Sequence, residues 1–140
     1  MAMNLEALFP PLAAVQLPVY SEIRERFRVT YDGPSDTLFL DFFGKGQPAA
    51  SIPLDRGDRD YLYARVDPNT GQIVGVQIEE FLSYAVEVDP ELLGAVSLAE
   101  FRGVAPEAEA DLKRRSVRSA TDRRDADAQS LLATVERLLT

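Results

Sequence analysis

Four charged side chains in the middle of the chain are the residues best suited by type to do chemistry. Apolar and polar residues alternate there with a period of two, and alternation places the four on one face of a predicted sheet. They are Asp41, Arg65, Asp67 and Glu79. Paired carboxylates can act as a general acid and a general base, as in glycoside hydrolysis. One hypothesis is therefore a small-ligand site, or a carboxylate-dependent active site, on that face.

The residue types that the chain lacks exclude other chemistry. With neither histidine nor cysteine in its 140 residues, it cannot form a Ser-His-Asp triad, a Cys-His pair or a zinc site of the usual ligands. Asp55, Asp58 and Asp60 crowd one turn, but they lack the ligand ladder and distal glutamate of a helix-loop-helix calcium site. Residues 44–46 lack the rest of a phosphate-binding loop. We therefore expect no metal and no cofactor.

The distribution of charge limits the partners. The net charge is −8 and the isoelectric point is near 4.5, which opposes nonspecific binding to nucleic acid or anionic lipid. Lys113 to Arg124 nevertheless holds six basic residues and one acid. We interpret this stretch as an intramolecular or subunit contact, and nucleic-acid binding by it would require a steep salt dependence. The uncharged run 7–21 is broken by prolines and is too short to span a bilayer, so we expect a cytoplasmic protein with no membrane contact.

The pattern of apolar residues predicts the elements that position these side chains. Two short N-terminal helices precede residue 27, the second with Pro18 in its first turn. From Phe27 the period becomes two, and turns rich in glycine, proline and aspartate separate about five strands over residues 27–79. Asp89 and Pro90 predict the start of a further helix. An amphipathic helix ends the chain.

A resemblance covers about residues 28–80. The residues that carry it are Tyr31-Asp32, Asp36-Thr37-Leu38-Phe39, Val66-Asp67, Gly71 and the run Ile73 to Ile78. They resemble a small bacterial family of uncharacterised domains, from which the chain departs at Gln77, where that family usually has glutamate. The resemblance implies a compact antiparallel sheet followed by a helix. It implies no activity and no catalytic residue.

The same alternation places aromatic as well as polar residues on the sheet face that carries the four charged residues. Aromatic and polar side chains sit there beside one arginine, a composition typical of protein interfaces. The terminal helix adds an apolar stripe that is able to dock on the chain's own sheet or on another subunit. The predicted contact residues are Phe39, Tyr61, Tyr63, Arg65 and Gln77 on the sheet, and Leu131, Val135 and Leu138 on the helix.

We therefore predict an α+β fold with an antiparallel β-meander sheet of about five strands, flanked by N-terminal helices and C-terminal helices. Residues 1–104 would form the α+β domain, with the meander at 27–79, and residues 105–140 a charged segment and a docking helix. The favoured function is a non-enzymatic interaction module. Its partner would be a second copy, with a dimer favoured, or another protein.

Overall fold

A computed structural model describes residues 17–44, 46–54, 60–116 and 124–139. It has an α+β architecture in which one six-stranded sheet packs against a layer of helices. The elements in chain order are α1 (Tyr20–Ile23), β1 (Arg28–Asp32), β2 (Thr37–Asp41), β3 (Ala50–Pro53), β4 (Leu62–Val66), β5 (Ile73–Ile78), a π-helical turn (Phe81–Ala85), α2 (Val86–Val88), a 3-10 helix (Pro90–Ser97), β6 (Glu100–Arg102), α3 (Pro106–Ser116) and α4 (Arg124–Leu139).

The strand order corrects the predicted meander. The order across the sheet is β3-β4-β5-β2-β1-β6, so β2 pairs with β5 and the chain passes from β2 to the far edge before returning. The sixth strand, which the sequence did not predict, pairs parallel to β1 while all other pairs are antiparallel. A meander was expected because every connection is short, but strand order depends on which edges meet in space.

Gly75 explains why β5 can occupy the centre of the sheet beside β2. A Cβ atom built on Gly75 would lie 2.4 Å from the carbonyl oxygen of Leu40. No side chain larger than hydrogen fits such an approach without movement of the backbone. The pairing of β2 with β5 therefore requires glycine at this position.

The core lies between the helices and one face of the sheet. The inward residues of β1, β2, β4 and β5 form one apolar cluster with residues of the helices, with Leu38, Leu40, Ala64 and Ile78 fully buried. Phe27, which precedes β1, stacks on Phe42 with their ring centroids 6.4 Å apart. Tyr20 and Ile23 of α1 also lie in this core, although α1 is only four residues long.

The terminal helix packs on its own chain. Leu131, Val135 and Leu138, the three residues predicted to assemble subunits, are at most 5% exposed and belong to the same core cluster. Since their apolar surface is already buried in this core, α4 belongs to the same domain as the sheet. None of the helices that the structure describes is long and apolar enough to cross a membrane.

Several sequence predictions lie outside the described residues. These are the first N-terminal helix, the Asp55 to Asp58 turn, and the part of the basic stretch at 117–123.

Candidate interaction face and its surroundings

The face of the sheet opposite the core is here called the mixed face. Pairing register aligns its central row as Thr30, Phe39, Gln77 and Tyr63 on β1, β2, β5 and β4. Within the described residues, Phe39, Tyr63, Arg65 and Gln77 are all half-buried, and none of them enters the apolar cluster that the helices share. The remaining members defined here are Asp32, Asp41, Ser51, Glu79 and Arg102.

An ion pair crosses the mixed face over Gly75. Arg65 on β4 and Asp41 on β2 are both register partners of Gly75 on the intervening β5. Because glycine places no side chain between them, the Arg65 Nη1 and Asp41 Oδ1 atoms approach to 2.9 Å. The side chains are 24% and 15% exposed, so this pair is more shielded than an ordinary surface ion pair.

Phe39 lies between two guanidinium groups. The Cζ atoms of Arg65 and Arg102 stand 5.5 Å and 6.0 Å from the centroid of the Phe39 ring. Both distances are within the range of a cation–π contact. Arg102 is itself held by Asp32, with an Nε–Oδ1 distance of 3.3 Å. A guanidinium that is itself ion-paired with an aspartate therefore lies on either side of the ring.

A chain of hydrogen bonds occupies the rest of the mixed face. The Ser51 hydroxyl donates to Gln77 Oε1 at 3.0 Å, and Gln77 Nε2 donates to Glu79 Oε1 at 3.0 Å. The negative charge of Glu79, together with partial burial and a hydrogen bond to the same carboxylate, raises the pKa of the Tyr63 hydroxyl. Asp41 and Glu79, two of the predicted acid–base residues, are thus both engaged by neighbouring side chains.

Two residues predicted for this face lie elsewhere. Tyr61 is 2% exposed, precedes the first residue of β4, and directs its hydroxyl to the buried carboxylate of Asp89. Strand alternation does not apply to it because it lies in the preceding turn. Asp89 was predicted to cap the next helix, but its side chain makes no capping bond. Asp67 turns to its own loop, where its carboxylate accepts the Asn69 N–H at 2.8 Å.

Thr30 carries an unusual polar group. Its side chain is 4% exposed, and its hydroxyl has no hydrogen-bond partner in the described parts of the chain. A buried hydroxyl without a partner costs free energy of folding.

Asp36 fastens the β1–β2 turn to the segment that follows the sheet. Its carboxylate accepts hydrogen bonds from the hydroxyl groups of Tyr31 and Ser83, each at 2.7 Å. It also accepts hydrogen bonds from the backbone N–H groups of Leu82 and Ser83, at 2.9 and 3.1 Å. Burial tends to raise the pKa of this carboxyl, but the four hydrogen bonds outweigh that and hold the pKa below its ordinary value. Asp36 thereby supplies the acceptors that the first turn of a helix needs, from a distant part of the chain.

Metal sites and ligand-binding grooves are the other functional features to consider among the described residues. No group of three or more carboxylates among them is arranged to hold a metal ion. One groove of about 470 Å³ lies at the start of β1, and it is lined by Phe27, Arg28, Val29, Leu98, Arg24, Glu25, Glu100 and Arg124. Another of about 540 Å³ lies between the residues before α1 and one side of α4. None of the residues that define the mixed face is among those that line these two grooves.

Sequence reasoning missed several members of the mixed face. Asp32 and Arg102 meet only because β6 pairs with β1, a contact between residues 70 apart in the sequence for which no local pattern gives a signal. Gly75 was recognisable as a glycine inside a predicted strand, which often marks a close approach of two backbones.

No protein-family model, curated protein or solved structure matches the chain in the three comparisons made. The resemblance to a bacterial family therefore stays a prediction, and the function has to be argued from this chain alone.

Proposed function

We propose that the protein is a non-enzymatic binding module that self-associates through the mixed face. The observation that carries the proposal is the position of Phe39, a half-buried ring between Arg65 and Arg102 that lies outside the apolar cluster shared by the sheet and the helices. Aromatic and arginine side chains dominate the energetics of protein interfaces. The apolar stripe of α4 is not available for contact with a partner, because it is buried within the chain.

The order of the mixed face favours binding. Asp41 holds Arg65 and Asp32 holds Arg102, so both arginines are positioned before any partner arrives. A surface with its side chains already placed loses less conformational entropy on association. The same contacts weigh against acid–base catalysis by Asp41 and Glu79, whose oxygens are engaged with Arg65, Gln77 and Tyr63.

The balance of charge on this face favours a second copy as the partner. Both signs of charge lie on it, in the Arg65–Asp41 and Arg102–Asp32 ion pairs, so a second copy would present charges of both signs to the first. The edges of the sheet are less suitable for association. Pro53 lies in the edge strand β3, and the other edge strand, β6, has only three residues.

The dimensions of the sheet set the expected strength. Five intervals of about 4.8 Å and strands of about 16 Å give a flat face of roughly 400 Å². Stable dimers bury about 800 Å² on each partner, so the association should be weak, with a dissociation constant of about 10–1,000 μM.

Sedimentation equilibrium from about 10 μM to 1 mM tests the proposal, since it spans that range. We expect a reversible monomer–dimer equilibrium that Phe39→Ser weakens at least tenfold. Tyr84→Ser is the matched control, because Tyr84 is an aromatic residue, 37% exposed, outside the mixed face. A chain that stays monomeric throughout, or a Phe39→Ser variant that dimerises as well as the Tyr84→Ser variant, would contradict the proposal.

A further inference from the structure

We infer that the groove at the start of β1 binds a small carboxylate with an apolar body, and that Arg28 is the residue that recognises the carboxylate. The residues that line this groove are different from those that define the mixed face. The groove has a volume of about 470 Å³, enough for a small organic acid.

The Arg28 guanidinium is held in place by hydrogen bonds to the backbone. Its Nη1 group donates to two backbone carbonyl oxygens, that of Glu25 at 3.1 Å and that of Phe27 at 2.8 Å. These bonds fix the guanidinium and use both hydrogens of Nη1. Among the described residues Arg28 forms no ion pair, whereas the neighbouring Arg24 is held by Asp125 with an Nη2–Oδ2 distance of 3.0 Å. A half-buried guanidinium with no carboxylate partner is unexpected in a chain of net charge −8.

The geometry of the guanidinium indicates the ligand. With Nη1 occupied, Nε–H and the two N–H groups of Nη2 remain, and Nε–H and one of the Nη2 N–H groups point in parallel from one edge of the plane. That edge matches the two oxygens of a carboxylate in a bidentate pair. The fixed orientation lowers the entropy that binding would otherwise cost.

The other groove residues narrow the class of anion. Leu98 is half-buried and gives the groove an apolar surface, which favours a ligand with a hydrocarbon or aromatic body, whereas Phe27 and Val29 also line the groove but are at most 3% exposed. Three guanidiniums (Arg24, Arg28 and Arg124) and two carboxylates (Glu25 and Glu100) line the groove, so three positive and two negative charges leave a net charge of +1, which a monoanion balances and a dianion exceeds. A monocarboxylate therefore fits better than inorganic phosphate.

Titration followed by two-dimensional NMR tests this inference with benzoate, benzamide and inorganic phosphate as probes. We expect benzoate to shift the resonances of residues 25–29 and 98–100 with a dissociation constant of about 1–10 mM, and benzamide to bind at least tenfold more weakly. Phosphate binding more tightly than benzoate would overturn the assignment of a monocarboxylate. The absence of any shift at 50 mM benzoate, a concentration well above that range, would overturn the site itself.

Substitution of Arg28 tests whether its guanidinium is the group that recognises the carboxylate. Arg28→Gln should weaken benzoate binding at least tenfold, while Arg115→Gln, the same change at an exposed position on α3, should leave it unaltered. Equal binding by the two variants would refute the role of Arg28. Should Arg28→Gln lose its fold, Leu98→Glu and Leu98→Gln form a second pair of equal size, of which only the glutamate adds a repelling charge. Equal benzoate affinities in that pair would count against an anion site.

The source of the carboxylate is resolved by a further comparison. N-acetylleucine presents the carboxyl terminus of a peptide, and 4-methylpentanoate presents the same branched chain as a free acid. Tighter binding of N-acetylleucine would assign the groove to a peptide C-terminus, and the reverse order would assign it to a free organic acid. Failure of both to bind would refute the carboxylate class.

Discussion

Replacement of Asp36 should destabilise the protein more than any other single change to an exposed or half-buried acid. Asp36→Ala leaves the hydroxyl of Tyr31, a side chain only 6% exposed, and the N–H of Leu82 without their acceptor. Hydrogen bonds to a charged group contribute about 1.5–3 kcal/mol each. The bonds from Ser83 are exposed and water can replace them. Taking the lower value for each, we expect a loss of about 3 kcal/mol from the first two bonds.

The backbone of Asp36 adds a second cost. Its φ of 51° lies in the left-handed region, where alanine is less favourable than aspartate or asparagine by about 1 kcal/mol. Asp36→Asn keeps the backbone preference and one neutral acceptor oxygen, so it should cost about 2 kcal/mol against about 4 kcal/mol for Asp36→Ala. For a domain of this size, 4 kcal/mol corresponds to a fall in Tm of roughly 10 °C.

Urea unfolding followed by circular dichroism measures these differences at several pH values. Since the pKa of Asp36 is lower in the folded state than its ordinary value of 3.8, its ionised form stabilises the fold above that value and the contribution is lost as the pH falls below it. The gap between the parent and Asp36→Asn should therefore narrow in acid. Glu107→Gln, an exposed control with the same change in charge, should cost less than about 0.5 kcal/mol. An Asp36→Ala variant as stable as this control would refute the reasoning.

Three further substitutions test the packing. Gly75→Ala should lose at least about 2 kcal/mol of unfolding free energy in urea, because its Cβ would strike the Leu40 carbonyl; an unchanged midpoint would be inconsistent with that close approach. Thr30→Val should instead raise Tm by about 3 °C, since it removes a buried hydroxyl with no described partner; a lower Tm would mean that the hydroxyl is satisfied. Leu131→Ala should lose about 2–4 kcal/mol, and by the same amount at every protein concentration, because Leu131 is buried in its own chain. A loss that vanished on dilution would instead make Leu131 a subunit contact.

The sequence predicted the local elements well because their signals are local. About five strands were expected over residues 27–79, and five strands are observed there, from Arg28–Asp32 to Ile73–Ile78. Alternation within these strands also identified the core face, and the buried state of Leu38, Leu40, Leu62 and Val76 follows from it. Turn residues at 67–71 marked the hairpin between β4 and β5.

The mixed face was predicted in part, for the same reason. Phe39, Tyr63, Arg65 and Gln77 lie inside strands, and alternation places them together. Tyr61 was misplaced because it lies in a turn, where the two-residue period does not hold. The Arg102–Asp32 pair was missed because β6 is three residues long, too short to show a period.

By itself, the sequence determined the α+β class, the strand positions and the chemistry that a chain without histidine and cysteine cannot perform. Only the tertiary structure decided the strand order, the burial of the terminal helix against its own core and the ion pair that spans Gly75. It also left Arg28 bonded to backbone carbonyls and without an ion pair among the described residues. The physical reason is that side-chain period and turn preference act over a few residues, whereas strand pairing and ion pairing depend on segments that meet only when the chain is folded.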